Sequence, residues 1–225
     1  MAMTLPHESV PALDAGLTLL QTPGPRETAI HHLALQTIRG TDGPTYWLDA
    51  RNTASTYALH ELAPSPRTLR GVKIARAFTA YQHHTLVERV VNTVSPRTGC
   101  LVAPNAASLY RDDDVPDHEA GPLLSAAVGA LREVATTLEI PVLVTDAGPD
   151  DRLAGVLADH ADRALRCERT GMGYRYEGAE FETTVYWQDG DWQTTIPYWV
   201  ELLGAVETAP AGTVSGVDLA FAVEG

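Results

Sequence analysis

Lysine is nearly missing from this 225-residue chain: Lys73 is the only one, and the other cations are all arginines. Carboxylates are plentiful, with 29 Asp and Glu against 16 Lys and Arg, a net charge of −13. A surface of that sign argues against general nucleic-acid affinity, which draws on clustered cations and falls steeply with salt. Cysteine is scarce as well. Cys100 and Cys167 stand far apart in apolar contexts, the setting of two small buried residues and not of a disulfide or metal pair. No apolar run is long enough to cross a bilayer, and the first residues lack the basic-then-apolar order of a signal peptide. The expectation is a cytoplasmic protein without membrane contact.

What is present supports one substantial core, since hydrophobic residues make up 44% of the chain. A single domain is expected over residues 1–205, with residues 1–15 as a lead-in. Residues 206–225 read as a linker followed by a short apolar segment, VDLAFAV. Lysine depletion beside surplus acid resembles the protein composition of halophilic archaea, whose hydrated acidic surfaces stay soluble when salt screens charge repulsion.

Periodicity gives the organisation. Residues 17–38 read as a buried strand, a Pro/Gly loop and a helix. Short strands then alternate with helices: PTYWLD, GVKIARA, CLVAP and IPVLVT are the strands, and a long helix runs from Pro122 to Leu138 before the last of them. Beyond Arg163 the style changes. The segments at 163–168, 173–176 and 182–187 alternate as antiparallel strands do, and Asp189-Gly190 has hairpin-turn chemistry. The expected fold is α/β: a mostly parallel sheet flanked by helices, with an antiparallel, aromatic-rich extension over 163–205.

A strand, tight loop and helix in that order is where a P-loop protein holds phosphates. Such a loop needs glycines for close approach, a lysine for the β- and γ-phosphates and a hydroxyl for Mg²⁺. Across Gln21, Thr22, Pro23, Gly24, Pro25, Arg26, Glu27 and Thr28 only the hydroxyl of Thr28 survives. Gln21 and Arg26 stand at the two glycines, and Glu27 puts a carboxylate where the lysine belongs.

Three further blocks, KIARAFTAYQHHTLVERV, CLVAPNAASLYRDDD and LREVATTLEIPVLVTD, resemble in order and spacing the RecA/RadA recombinase ATPase core. The likeness runs from about Leu17 to Glu168 and includes an ALYR-like turn at Ala107–Arg111. It implies a RecA-like P-loop fold whose phosphate-binding and Mg²⁺-binding motifs have degenerated. On that resemblance the Mg²⁺-anchoring acid falls on Pro104, and the water-orienting carboxylate on Arg51, within a segment opened by Asp49. The γ-phosphate sensor falls on Ala147, beside Asp146. With Glu27 these make four lost roles, and removing even one charged transition-state partner costs several kcal/mol. The loops that would hold single-stranded DNA, RDDDVPDHEAG and DAGPDDRLAG, are acidic.

The expected function is therefore a non-catalytic RecA/RadA-like accessory or regulatory binding protein, with DNA repair or recombination as its setting and no cofactor. Two alternatives stand beside it: a divergent nucleotide-binding ATPase or switch using Thr28 and Arg26, and a DNA-binding subunit. Candidate partner-binding residues are Tyr186, Trp187, Trp192, Tyr198, Trp199 and Phe221, because aromatics dominate interface hot spots. The partner is another protein, such as a RadA-type recombinase, or a second copy. His31-His32 and His83-His84 read as surface or half-buried, since neighbours on a helix point about 100° apart and cannot chelate alone. Asp112–Asp114 reads as a solvated turn, so no metal site is expected.

Overall fold

The computed structural model describes residues 13–39, 41–170, 173–178, 182–188 and 191–194. The compact unit that holds them ends at Thr195, and residues 196–225 form a second unit outside the described residues. Nine strands make one sheet in the order β3-β2-β4-β5-β1-β6-β7-β8-β9. In chain order these strands are β1 Gly16–Gln21, β2 Thr45–Ala50, β3 Val72–Ala77, β4 Cys100–Ala103, β5 Pro141–Asp146, β6 Arg163–Thr170, β7 Gly173–Gly178, β8 Glu182–Gln188 and β9 Asp191–Thr194. The helices are α1 Ala29–Thr37, α2 Thr56–Leu62, α3 Ala80–Val91, α4 Asp117–Leu138 and α5 Arg152–His160. From β3 across to β6 every pairing is parallel. The α/β class and the mostly parallel, helix-flanked sheet thus agree with the expectation.

The central strands are apolar on both faces because helices cover both. Leu17 and Leu19 of β1, Leu101 of β4 and Val142 and Val144 of β5 join one core, with α3, α4 and α5. Leu20, Val102 and Leu143, their neighbours of opposite parity, join the other, with α1 and α2. Helices that carry the chain towards β3 lie on one face and those that bring it back lie on the other, as right-handed crossovers require.

Three expectations are corrected. The segment beginning at Arg163 is not antiparallel to the core: β6 runs parallel to β1, and reversal begins only at β7. Its alternation has another cause, since Leu165 and Cys167 are buried while Ala164 beside them and Arg166 between them face solvent. The long helix starts at Asp117, not Pro122, so the proline sits inside α4. As the sixth residue of α4 it lies past the donors that a helix start leaves free, and it costs the helix the bond to the His118 carbonyl. The paired histidines are core residues. His31, His32 and His83 are 2%, 7% and 0% exposed, and only His84 is half-buried.

Two tyrosines of the expected extension also belong to the core: Tyr174 and Tyr176 of β7 pack with α1. The backbone register sets Trp187 of β8 opposite Trp192 of β9, and Tyr186 opposite Gln193. Asp189-Gly190, Tyr198, Trp199 and Phe221 lie outside the described residues. Both cysteines are free and buried, and among the described residues no helix is long and apolar enough to cross a membrane.

Candidate functional site

The helix after β1 leaves to one face of the sheet, and the helix after its neighbour β5 leaves to the other. The crevice at the carboxyl ends of these strands is the place where open α/β sheets bind ligands. Register brings Gln21 level with Asp146 across it. The loop after β1 is fastened along its whole length. At its start, the Thr22 N–H donates to the Asp146 carbonyl at 3.1 Å and the Thr22 hydroxyl donates to the Gly24 carbonyl at 3.0 Å. In the middle, Asn105 Nδ2 donates to the Pro25 carbonyl at 2.8 Å.

At its end the Tyr174 hydroxyl donates to Glu27 at 2.7 Å and lies 3.0 Å from the Thr28 hydroxyl. A phenol has one proton. With that proton on Glu27, the Thr28 hydroxyl is the donor to the tyrosine oxygen. The hydroxyl of Thr28 is thus engaged by β7, and Thr28 caps α1 without any side-chain bond to the helix. Pro23 and Pro25 remove two backbone donors from a loop whose N–H groups would otherwise cradle an anion. Burial pushes the Tyr174 phenol up. It also pushes the neighbouring Cys167 thiol up to about 12, helped by the charges of Glu27 and Glu168. A thiol so placed is inert as a nucleophile.

Beyond β4, Pro104 is buried and offers neither carboxylate nor N–H. Asn105 takes a positive φ of 50°, which turns its amide towards the loop, and its own N–H donates to Thr145 Oγ1 at 2.9 Å. The chain then enters a 3₁₀ turn, Ser108–Arg111, that ends in the strongest charge cluster of the crevice. Arg111 grips two carboxylates. Its Nη1 and Nη2 donate to Asp146 at 2.9 and 2.8 Å, and its Nε and Nη2 donate to Asp151 at 2.7 and 3.0 Å. This doubly bidentate arrangement uses the planar fork that lysine lacks. Arg111 holds the Asp151 carboxyl down at about 2, with help from the Ala154 N–H that Asp151 caps at the start of α5. Gly148 leaves room for it, since a Cβ there would run into the guanidinium and push it aside.

Asp49 and Arg51 separate. Asp49 is fully buried and turns away from the crevice. It accepts the Thr53 and Ala54 N–H groups at 2.7 and 3.0 Å, with Arg76 Nε at 3.3 Å on its other oxygen. Those bonds hold the turn after β2, where Arg51 and Asn52 both take positive φ. Arg51 reaches over the 3₁₀ turn, donating to the Ser108 carbonyl at 3.1 Å and pairing with Asp112. Ala147 is half-buried and follows Asp146 at the crevice wall. Structure therefore brings together residues 21–28, Pro104 and Asp146, and it sets Asp49 and Arg51 one strand away.

Sequence reasoning missed Asn105, Arg111, Asp151 and Tyr174 as members of this site. Tyr174 bonds to partners 146 and 147 positions earlier, a relation that no local spacing carries. Two cavities flank the crevice. One, of about 720 Å³, lies among Gln21, Thr22, Asp146, Asp150 and Arg169. The other, of about 910 Å³, lies among Arg111, Asp112, Asp113, Asp117 and Arg152. Carboxylates line both; Arg111 of the second cavity is bonded to Asp146 and Asp151, and Arg169 of the first is exposed. Neither offers the surplus positive charge a triphosphate needs. Among the described residues no group of three or more His, Cys, Asp or Glu converges to hold a metal.

No known protein-family model matches the chain, and no curated protein sequence matches it.

Proposed function

We propose that this chain is a RecA/RadA-like domain that has lost nucleotide chemistry and serves as an accessory protein-binding module. One observation carries the reading: the polar groups of the switch-point crevice are occupied by other side chains of the fold. Thr28 and Glu27 are engaged by Tyr174, the Pro25 carbonyl by Asn105, and Asp146 by Arg111. A P-loop site works by presenting free backbone N–H groups and one lysine to a polyanion. Here the loop carries two prolines, a glutamate already bonded to Tyr174 and one exposed cation, Arg26, with no lysine. On the resemblance to recombinases, such a module serves DNA repair or recombination beside an active enzyme.

The test is ATP with Mg²⁺ at millimolar concentration. Phosphate release stays at background and the melting temperature does not move, because a ligand that binds the folded chain must raise it. A saturable shift that disappears in Thr28→Ala would overturn the reading and favour a divergent nucleotide switch.

A further inference from the structure

Charge is not evenly spread over this acidic molecule. Between residues 66 and 99 the chain carries Arg67, Arg70, Lys73, Arg76, Arg89 and Arg97 against one carboxylate, Glu88. The middle of that stretch is β3, which among the described residues ends the sheet and pairs with β2 alone. One row of its backbone N–H and C=O groups therefore faces outward, a template for another strand. Along the same border runs an apolar groove of about 220 Å³, floored by Tyr46, Leu48, Ala75, Leu86 and Val90. Lys73 and Arg89 form its rim. Arg76 is held by Asp49 and Glu88 by His84. Lys73 and Arg89 are exposed and have no ion-pair partner among the described residues, and the Lys73 ammonium lies 5.1 Å over the Tyr46 ring at the groove's floor.

We propose that the outer edge of β3 docks an extended, acidic segment of another protein, added to the sheet as a tenth strand. The chemistry of the edge specifies the occupant. Main-chain donors and acceptors spaced along a strand are matched by a polypeptide backbone and not by a phosphodiester. Side chains of an added strand alternate between faces, so every second residue reaches the groove and must be apolar. Carboxylates at its margins meet Lys73 and Arg89, and those further along meet Arg67 and Arg70. Charges of this kind steer encounter and suppress wrong partners. On a molecule of net charge −13, this border is where an acidic chain meets attraction instead of repulsion. The inference rests on the reading of the chain as a binding module, and it names a surface distinct from the switch-point crevice.

The probe is a fluorescein-labelled decapeptide in which valine and aspartate alternate, against a control of the same composition arranged in blocks. Fluorescence anisotropy is read with the full chain, the variant Lys73→Glu/Arg89→Glu, and a mixed-sequence single-stranded oligonucleotide as competitor. Hydrogen exchange is followed on the peptide complex. The expected result is binding of the alternating peptide only, an affinity loss of about tenfold or more in the double variant, and slowed exchange at 72–77. Equal binding of both peptides, an unchanged affinity in the variant, or protection elsewhere would overturn the proposal. Displacement by the oligonucleotide would assign the cations to nucleic acid and overturn it too. Concentration-dependent self-association that excludes the peptide would make a second copy the occupant, again against the proposal. A melting shift with ATP and Mg²⁺ on the same sample reports separately on the reading beneath it.

Discussion

The switch-point crevice and the outer edge of β3 use arginine in opposite ways. At the crevice Arg111 spends its donors on Asp146 and Asp151, and Arg51 reaches the Ser108 carbonyl and Asp112. At the edge Lys73 and Arg89 face solvent beside an apolar groove. Paired charges in a half-buried setting hold loops in place and leave little for a ligand. Unpaired charges on a rim contribute little to the fold and remain available to a partner. Where a charge is satisfied therefore separates what this chain uses to stay folded from what it has to offer.

Acid should break the packed side first and hardest. His31 and His32 lie in α1 directly behind the loop, and His83 lies in α3 under the 3₁₀ turn. Burial holds all three down at about 4, and a neighbouring histidine adds to this for His32 and His83. Asp49 and the Thr28 backbone act in the other direction on His31. Between about pH 6.5 and 4 the unfolded chain takes up protons on these rings and the folded chain does not. Stability therefore rises with pH through that window and is lost as pH falls. By pH 5 the loss is about 2 kcal/mol per histidine, so the three together approach the whole stability of an ordinary domain. Urea unfolding at pH 7 and pH 5 checks it, and equal free energies at the two would refute it. His83→Asn should flatten the slope, because an amide takes up no proton in this range, and it can still meet the Tyr110 hydroxyl that His83 Nδ1 meets at 3.0 Å.

Next in size is the clamp. Arg111→Ala leaves Asp146, 8% exposed, beside Asp151 with no cation between them. Removing one partner of a buried pair costs about 3 kcal/mol, measured by urea unfolding at pH 7. Gly148→Ala should move in the same direction, since its new methyl displaces the guanidinium. A clamp that served only as surface decoration would show less than about 0.5 kcal/mol in either variant.

These two effects mark how far the sequence could be read. The strand–loop–helix at 17–38 and the strand IPVLVT were legible because continuous apolar runs and their flanking turns are local signals. β6 was legible as a strand but not in its direction. A strand packed on one face alternates whether its neighbour runs parallel or not, and only the tertiary pairing with β1 decides. The histidines were misjudged for a related reason. The bond that holds His31 comes from the Ser55 N–H, 24 residues on, at 3.2 Å, and the ring lies 5.1 Å from that of Trp47. Likewise the loop at Gln21–Thr28 showed its missing glycines and lysine, whereas its fastening by Asn105 and Tyr174 is a product of topology. Departures from the phosphate-loop pattern were visible one position at a time; the bonds that fasten the loop were not.

The smallest expected effect belongs to the open side, and it tests the comparison from that direction. Arg70 is exposed, stands just before β3 and has no ion-pair partner among the described residues. Its reversal in Arg70→Glu removes no bond that the fold uses. Repulsion from Arg67 and Lys73 is relieved by the same change, which offsets the added acidity of a chain already at −13. Stability should stay within about 0.5 kcal/mol of the parent. The difference should shrink further as salt rises, because exposed charges are screened beyond about 10 Å at 0.1 M. Urea unfolding in low and high KCl reads both numbers. A loss of about 2 kcal/mol or more that persists in high KCl would mean Arg70 holds structure as Arg111 does. The edge of β3 would then belong with the crevice, as part of the fold and not as surface set aside for a partner.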